Sequence, residues 1–207
     1  LRVAPRYYTA SETFPFLEPA MLPLFDVILE EMKVATQWHN WPERTLYKME
    51  EGHDWKVLPF VYTLPAYDPS KTEWVDKNCV QCPRTVSLLR SLPGIRTALF
   101  SRLGPNTTLG VHQGWADLSN HVLRCHLPLT VPEEGTCGLV VDGETMYHKE
   151  GQLIVFDDSK KHYAFNNHPT HSRSVLIFDL MRPEGLPPGI AKGAQTHELR
   201  AFIDYFK

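Results

Sequence analysis

Leu153-Ile154-Val155-Phe156-Asp157-Asp158-Ser159-Lys160-Lys161-His162 is the stretch on which the reading of this chain turns. Four consecutive apolar residues, two of them β-branched, have the length and composition of a strand buried on both faces. They run without a spacer into six polar residues that end in an imidazole. A buried strand ending in a polar turn brings ligand-capable side chains to the rim of a sheet.

Outward from this stretch, short strand signals recur at 97–103, 122–131, 137–141, 145–148, 152–156, 163–166 and 174–181. Gly- and Pro-rich turns separate them, and Asp142-Gly143 is a specific two-residue hairpin signal. Seven short strands without intervening helices point to an antiparallel sandwich or barrel, with a jelly roll fitting best. Upstream, Leu22, Phe25, Ile28, Leu29 and Met32 form the stripe of an amphipathic helix over 18–38. Trp41, Pro42, Trp55, Pro59, Pro65 and Pro69 then predict extended loop and edge strand, because proline cannot donate to a central ladder. A short helix at 83–92 starts on Pro83, and a final amphipathic helix at 197–206 docks Leu199, Phe202, Ile203 and Phe206 back on the barrel. The chain therefore reads as one domain, 1–207, mainly β with flanking N-terminal and C-terminal helices. Its parts are a helical and irregular segment (1–95), a barrel core (96–183) and a tail with its helix (184–207).

The 207 residues suit one well-cored domain at ~150 residues each. Lys and Arg number 21 against 24 Asp and Glu, scattered along the chain, so there is no electrostatic footprint for nucleic acid or an anionic bilayer. No apolar run approaches the ~20 residues of a membrane span, so no membrane contact is expected of this domain itself. The chain begins at Leu1, as expected of the soluble domain of a longer membrane-anchored or secretory-pathway protein, and its compartment stays open. Cys79 and Cys82 have the spacing of half a zinc site, but no second pair completes it, which leaves a local disulfide or two free thiols. Asn106-Thr107-Thr108 matches a glycosylation sequon that has meaning only in a secreted protein.

Eight of the ten histidines lie from His112 onward, within the strand-rich part. His39, His53, His168, His171 and His197 read as surface or satisfied core residues. His112 and His162 stand apart by their neighbours, as imidazoles at strand ends that could serve as metal ligands. In 122–131, Arg124 and His126 fall two apart and share a face, while Cys125 and Leu127 face the other way. A guanidinium turned toward a barrel interior needs a bound carboxylate or an internal Asp or Glu, and Arg173 repeats that requirement. From the residues alone, the chain is a barrel with an anion pocket and a candidate metal site.

The run Ser101, Gly104-Pro105-Asn106-Thr107, His112-Gln113-Gly114, Arg124-Cys125-His126-Leu127, Lys149-Glu150-Gly151, Phe156-Asp157-Asp158-Ser159, His162 and Arg173 resembles the aspartyl/asparaginyl beta-hydroxylase domain. That family comprises non-haem iron, 2-oxoglutarate-dependent oxygenases on a double-stranded beta-helix. Cys79-Val80-Gln81-Cys82-Pro83-Arg84-Thr85 is also similar to the aspartate beta-hydroxylase domain-containing proteins. The resemblance covers about 79–183. It implies a cupin-like jelly roll, Fe(II), 2-oxoglutarate and O2 as cofactors, and His112 and His162 as the metal ligands. It implies further that Ser101 and Arg173 hold the distal carboxylate of 2-oxoglutarate, with Arg124 and His126 near its metal-side carboxylate. Gly114 stands where many iron oxygenases carry a third, carboxylate ligand.

Two departures follow. Eleven residues separate His112 from Arg124, more than the family pattern, so 115–119 is expected to bulge at the rim. Trp115 and Asp117 would then border the substrate, with Asp117 within reach of the metal. Val122 replaces a second basic residue associated with gripping an acidic substrate, which puts aspartyl specificity in question. The implied activity is hydroxylation of an unactivated carbon of a peptide side chain or amino-acid-like substrate, with succinate and CO2 as co-products. The alternatives are a catalytically silent jelly-roll binding module with a carboxylate pocket, and an iron-dependent halogenase using the position left open by Gly114.

Overall fold

Alternating side chains sort the strand-forming residues into two antiparallel sheets that face each other, as a jelly roll requires. The computed structural model describes residues 4–47 and 54–207, so His53 lies outside the described residues. The strands are β1 (Tyr7–Tyr8), β2 (His39–Asn40), β3 (Trp55–Thr63), β4 (Thr72–Trp74), β5 (Ile95–Leu103), β6 (Thr107–Thr108), β7 (Val122–Thr130), β8 (Cys137–Val141), β9 (Glu144–Tyr147), β10 (Ile154–Phe156), β11 (His162–Asn166) and β12 (Arg173–Met181). The larger sheet runs β1-β10-β7-β12-β5-β3-β2, with β4 also paired to β3, and the smaller runs β6-β11-β8-β9. All seven expected strands are present with ends shifted by a few residues. Asp142 (φ 45°) and Gly143 (φ 81°) make the β8–β9 hairpin, a turn that needs positive φ at both positions.

The larger sheet has an apolar core on each face. Its outer face carries Leu58, Phe60, Phe100, Leu127 and Phe178 against Ile28 and Met32 of the helix Phe25–Val34 and Val86 and Leu89 of the helix Pro83–Ser91. Each fully buried side chain of this size contributes roughly 1.5–3 kcal/mol, so this face anchors the sheet. Its inner face sets Val57, Leu103, Ile154 and Phe156 against Leu139, Val141 and Ala164 of the smaller sheet. Along β7 the two-residue period sends Cys125 and Leu127 to the outer core and leaves Arg124 and His126 for the cleft between the sheets.

Two expectations need correction. The stripe over 18–38 is not one helix but Leu17–Met21, a 3-10 turn Leu22–Leu24 and Phe25–Val34. Pro23 has no N–H for a continuous ladder, so the chain tightens there and restarts. The Trp- and Pro-rich passage is more ordered than expected, because Trp55–Thr63 is an interior strand paired with β5 on one side and with β2 and β4 on the other. Pro59 is tolerated because it sits at a register shift and in the gap between β2 and β4, where no partner strand needs its missing N–H. There Asn78 Nδ2 donates to the Pro59 carbonyl at 2.8 Å.

The C-terminal helix forms as His197–Asp204, with the Thr196 hydroxyl accepting from Leu199 N–H at its start. Cys79 and Cys82 are free, buried thiols. No described helix is long and apolar enough to cross a membrane.

Candidate metal and cosubstrate site

His112 lies in no named strand. It pairs with His162, the first residue of β11, through reciprocal backbone hydrogen bonds of 3.0 and 2.8 Å. This bridge brings the two imidazoles to a centroid separation of 4.4 Å. His112 Nδ1 is 2.7 Å from the Gly110 carbonyl, and His162 Nδ1 is 2.8 Å from the Lys160 carbonyl. A carbonyl only accepts, so each Nδ1 carries the proton and each Nε2 keeps its lone pair. Burial, reinforced for His112 by His162, lowers both rings to about 4, so they stay neutral at physiological pH. Two neutral imidazoles with their outer nitrogens anchored are a donor set for a divalent transition metal.

Asp158, whose role the sequence did not disclose, completes this corner. A Cβ built on Gly114 would lie 2.0 Å from Asp158 Oδ2, so the carboxylate fills the space beside the glycine. Asp158 Oδ1 accepts from Arg124 Nη1 at 2.5 Å and sits 3.3 Å from His162 Nε2. A carboxylate and an imidazole lone pair at that distance need a cation or a proton between them. Burial drives the Asp158 carboxyl up to about 6 against the pull of Arg124, so at neutral pH it is largely ionised. Among the described residues no three His, Cys, Asp or Glu side chains form a ready-made cation cage. The protein thus offers two imidazoles, with one carboxylate beside them.

Arg124 resolves its charge internally. Its Nε and Nη2 donate to Asp179 at 2.9 and 3.0 Å, from the position directly opposite on β12. Burial opposes its ionisation, but Asp158 and Asp179 outweigh it and hold Arg124 above its ordinary value. Its fork is therefore committed to two carboxylates, and it positions Asp158 rather than presenting a free anion site. Arg124 lines the same chamber as Ser101, His112, His162 and Arg173, where the cosubstrate is expected.

Arg173 is the opposite case. It is 2% exposed, and its Nε and Nη1 have no partner. Burial lowers it to about 10, so it remains charged at pH 7. An unpaired guanidinium inside a protein costs several kcal/mol and fits a site built for an anion. The chamber it lines also holds Ser101, His126, His112 and His162. Ser101 Oγ accepts from Trp55 Nε1 at 2.9 Å, which leaves its own proton free to donate. His126 Nδ1 lies 3.4 Å from Nε2 of His148, a fully buried residue that sequence reasoning passed over. Burial holds both rings well below their usual value, with His148 adding to the effect on His126 and Arg173 to that on His148. One chamber therefore holds anion-binding donors together with the metal-competent histidines, the chemistry of a small dicarboxylate that chelates a metal.

At the mouth, Trp115 stacks on Trp41 (6.1 Å) and Trp41 on Trp55 (4.5 Å), an aromatic wall. Trp115 borders the site as expected, but Asp117 does not. The inserted segment folds as a helical turn, Ala116–Ser119, that buries Leu118. Asp117 is rotated away by about 100° and accepts from Gln195 at 2.6 Å in a separate surface pocket.

Residues 24–183 match the family model described as Aspartyl/Asparaginyl beta-hydroxylase. A curated relative, the ornithine lipid ester-linked acyl 2-hydroxylase of Rhizobium tropici, is 37% identical over 133 residues, 64% of this chain and 46% of that protein. The aspartate beta-hydroxylase domain-containing protein 2 of Homo sapiens is 38% identical over 117 residues, 53% of this chain and 30% of that protein. The chain thus covers less than half the length of either relative. Among solved structures, an oxidoreductase of the 2OG-Fe(II) oxygenase family from Burkholderia pseudomallei superposes with a TM-score of 0.55 over 82% of each chain at 15% identity, a likeness of fold. With the family match spanning most of its length, this chain belongs to the aspartyl/asparaginyl beta-hydroxylase family.

Proposed function

We propose that this chain is an Fe(II)- and 2-oxoglutarate-dependent dioxygenase that hydroxylates an unactivated carbon of a peptide side chain or amino-acid-like substrate. The observation that carries this reading is the buried Arg173 guanidinium, with two unpartnered nitrogens, in the same chamber as the paired neutral imidazoles of His112 and His162. When bound, iron(II) supplies the oxidation of a C–H bond by O2 at the expense of 2-oxoglutarate, with succinate and CO2 as co-products.

The chain's own residues bind and orient. His112 and His162 hold the ion through Nε2, and Arg173 with Ser101 grips the distal carboxylate of 2-oxoglutarate. His126, kept neutral and oriented by His148, borders the cosubstrate. Arg124 holds the Asp158 carboxylate beside the metal, where it faces the position next to Gly114. Phe156 and the tryptophan wall exclude water.

The silent-module alternative has no use for two anchored, neutral imidazoles 4.4 Å apart. The halogenase alternative meets a physical obstacle, because the Asp158 carboxylate occupies the space beside Gly114 that a halide needs. Conversion of 2-oxoglutarate to succinate, followed with and without added iron(II), tests the proposal. Iron-dependent turnover that is lost in His112→Ala supports it. A folded wild type that makes no succinate, or a His112→Ala variant as active as wild type, overturns it.

A further inference from the structure

Beyond His112 the mouth of the site continues into a second chamber, the two sharing Trp41, Thr97, Leu99, Trp115 and Arg124. This chamber lies beneath the C-terminal helix His197–Asp204, walled by Leu64, Leu118, Leu199, Phe202 and Ile203. Three polar side chains touch it, and each is committed elsewhere. Tyr62 donates to Glu73 at 3.0 Å, Thr97 donates to Asp179, and Arg124 is held by Asp158 and Asp179. Among the described residues, none of the buried polar atoms without a partner belongs to a residue lining this chamber. The contrast with the Arg173 chamber is chemical: one asks for an anion, the other offers a polar ligand nothing.

A peptide threaded here would bury amide N–H and C=O groups without partners, each at a cost comparable to a lost hydrogen bond. A hydrocarbon chain loses no hydrogen bond and leaves water. Val122 points the same way, because it is fully buried in one apolar cluster with Leu118, with Trp115 packed against it.

Resting on the hydroxylase reading above, we propose that this chamber takes the acyl or alkyl chain of an amphiphilic substrate, running from the mouth at His112 past Trp115 to beneath the C-terminal helix. The helix is then the roof of a substrate site. It is held by Leu199, by the His39–Phe202 edge contact (6.0 Å) and by Lys77 over the Tyr205 ring (4.0 Å).

The test uses N-acyl glycines of 6 to 12 acyl carbons, brominated at the terminal carbon, which quench tryptophan fluorescence on binding. The dissociation constant should fall roughly fourfold per added methylene until the chamber is full, then level off. Phe202→Asp should flatten that dependence while the protein still forms its iron–2-oxoglutarate absorption band. Leu64→Arg, on the opposite wall, repeats the test should Phe202→Asp fail to fold. Binding independent of chain length, or a length dependence unchanged in both variants, overturns the proposal. The quenching is read without iron or 2-oxoglutarate, so a failure of the hydroxylase reading, seen as absent succinate, is scored separately.

Discussion

Arg173→Met should stabilise the cofactor-free protein while destroying its affinity for 2-oxoglutarate. Methionine keeps much of the volume on a flexible, apolar stem, so little packing is lost. Burial moves Arg173 from an ordinary value of 12.5 to about 10. At ~1.4 kcal/mol for each tenfold in the protonation equilibrium, keeping that charge unpaired costs the folded state about 3 kcal/mol. The folded value lies below the unfolded one and both lie well above neutrality, so this cost is constant from pH 5 to 9. Removing it should raise the melting temperature of the cofactor-free protein by about 6–12 °C, at ~2–4 °C per kcal/mol for a chain of this size. Two charge-assisted hydrogen bonds to a carboxylate are worth about 3–6 kcal/mol together, so 2-oxoglutarate should bind about 10²–10⁴-fold more weakly. Differential scanning fluorimetry with a 2-oxoglutarate series reads both effects, because a ligand that binds only the folded state raises its melting temperature. A variant that melts below wild type without ligand, or that binds 2-oxoglutarate within threefold of wild type, refutes the reasoning.

Gly114→Ala should push the new methyl into Asp158 and Ser119, contacts of 2.0 and 2.7 Å that cannot stand. The expected loss is about 1–3 kcal/mol of stability with at least tenfold weaker iron binding, measured by urea unfolding and metal titration. Metal-free protein should lose stability as the pH falls from 6.5 toward 4. The unfolded histidines take up protons first, whereas His112 and His162 in the folded chain wait until about 4. His112 and His162 each add ~1.4 kcal/mol per pH unit to that slope, His126 and His148 add in the same direction, the raised carboxyl of Asp158 offsets one of the four, and bound metal should flatten it. Thr196→Ala removes the cap on the C-terminal helix and should lower hydrogen-exchange protection there by about 1 kcal/mol, leaving β5, β7 and β12 unchanged.

What the sequence made legible follows from the range of the interactions involved. The strands β5 and β7 to β12 announce themselves because alternation and turn chemistry are local, and Asp142-Gly143 specifies its hairpin within two residues. The need of Arg124 for an anion is also legible from its position on an inward face. Which anion meets it is not, because Asp158 and Asp179 reach Arg124 only through strand pairing across 34 and 55 residues. His148 escaped notice for the same reason, since its partner His126 lies two strands away. Pro59 misled because a proline excludes a central strand only where a neighbour needs its N–H, and the gap between β2 and β4 removes that need. Asp117 was misplaced because its segment, expected to bulge as a loop, forms a helical turn in which the neighbouring Leu118 takes the buried side.

The central claim is that one metal and one cosubstrate share the chamber between His112, His162 and Arg173. Anaerobic titration of iron(II) with 2-oxoglutarate, watched for the visible metal-to-ligand charge-transfer band, tests it without any knowledge of the substrate. The account predicts a saturable band in wild type that is absent from folded His162→Ala and shifted to far higher 2-oxoglutarate concentration in Arg173→Met. A folded wild type that shows no band, or a His162→Ala variant with an undiminished one, would contradict it.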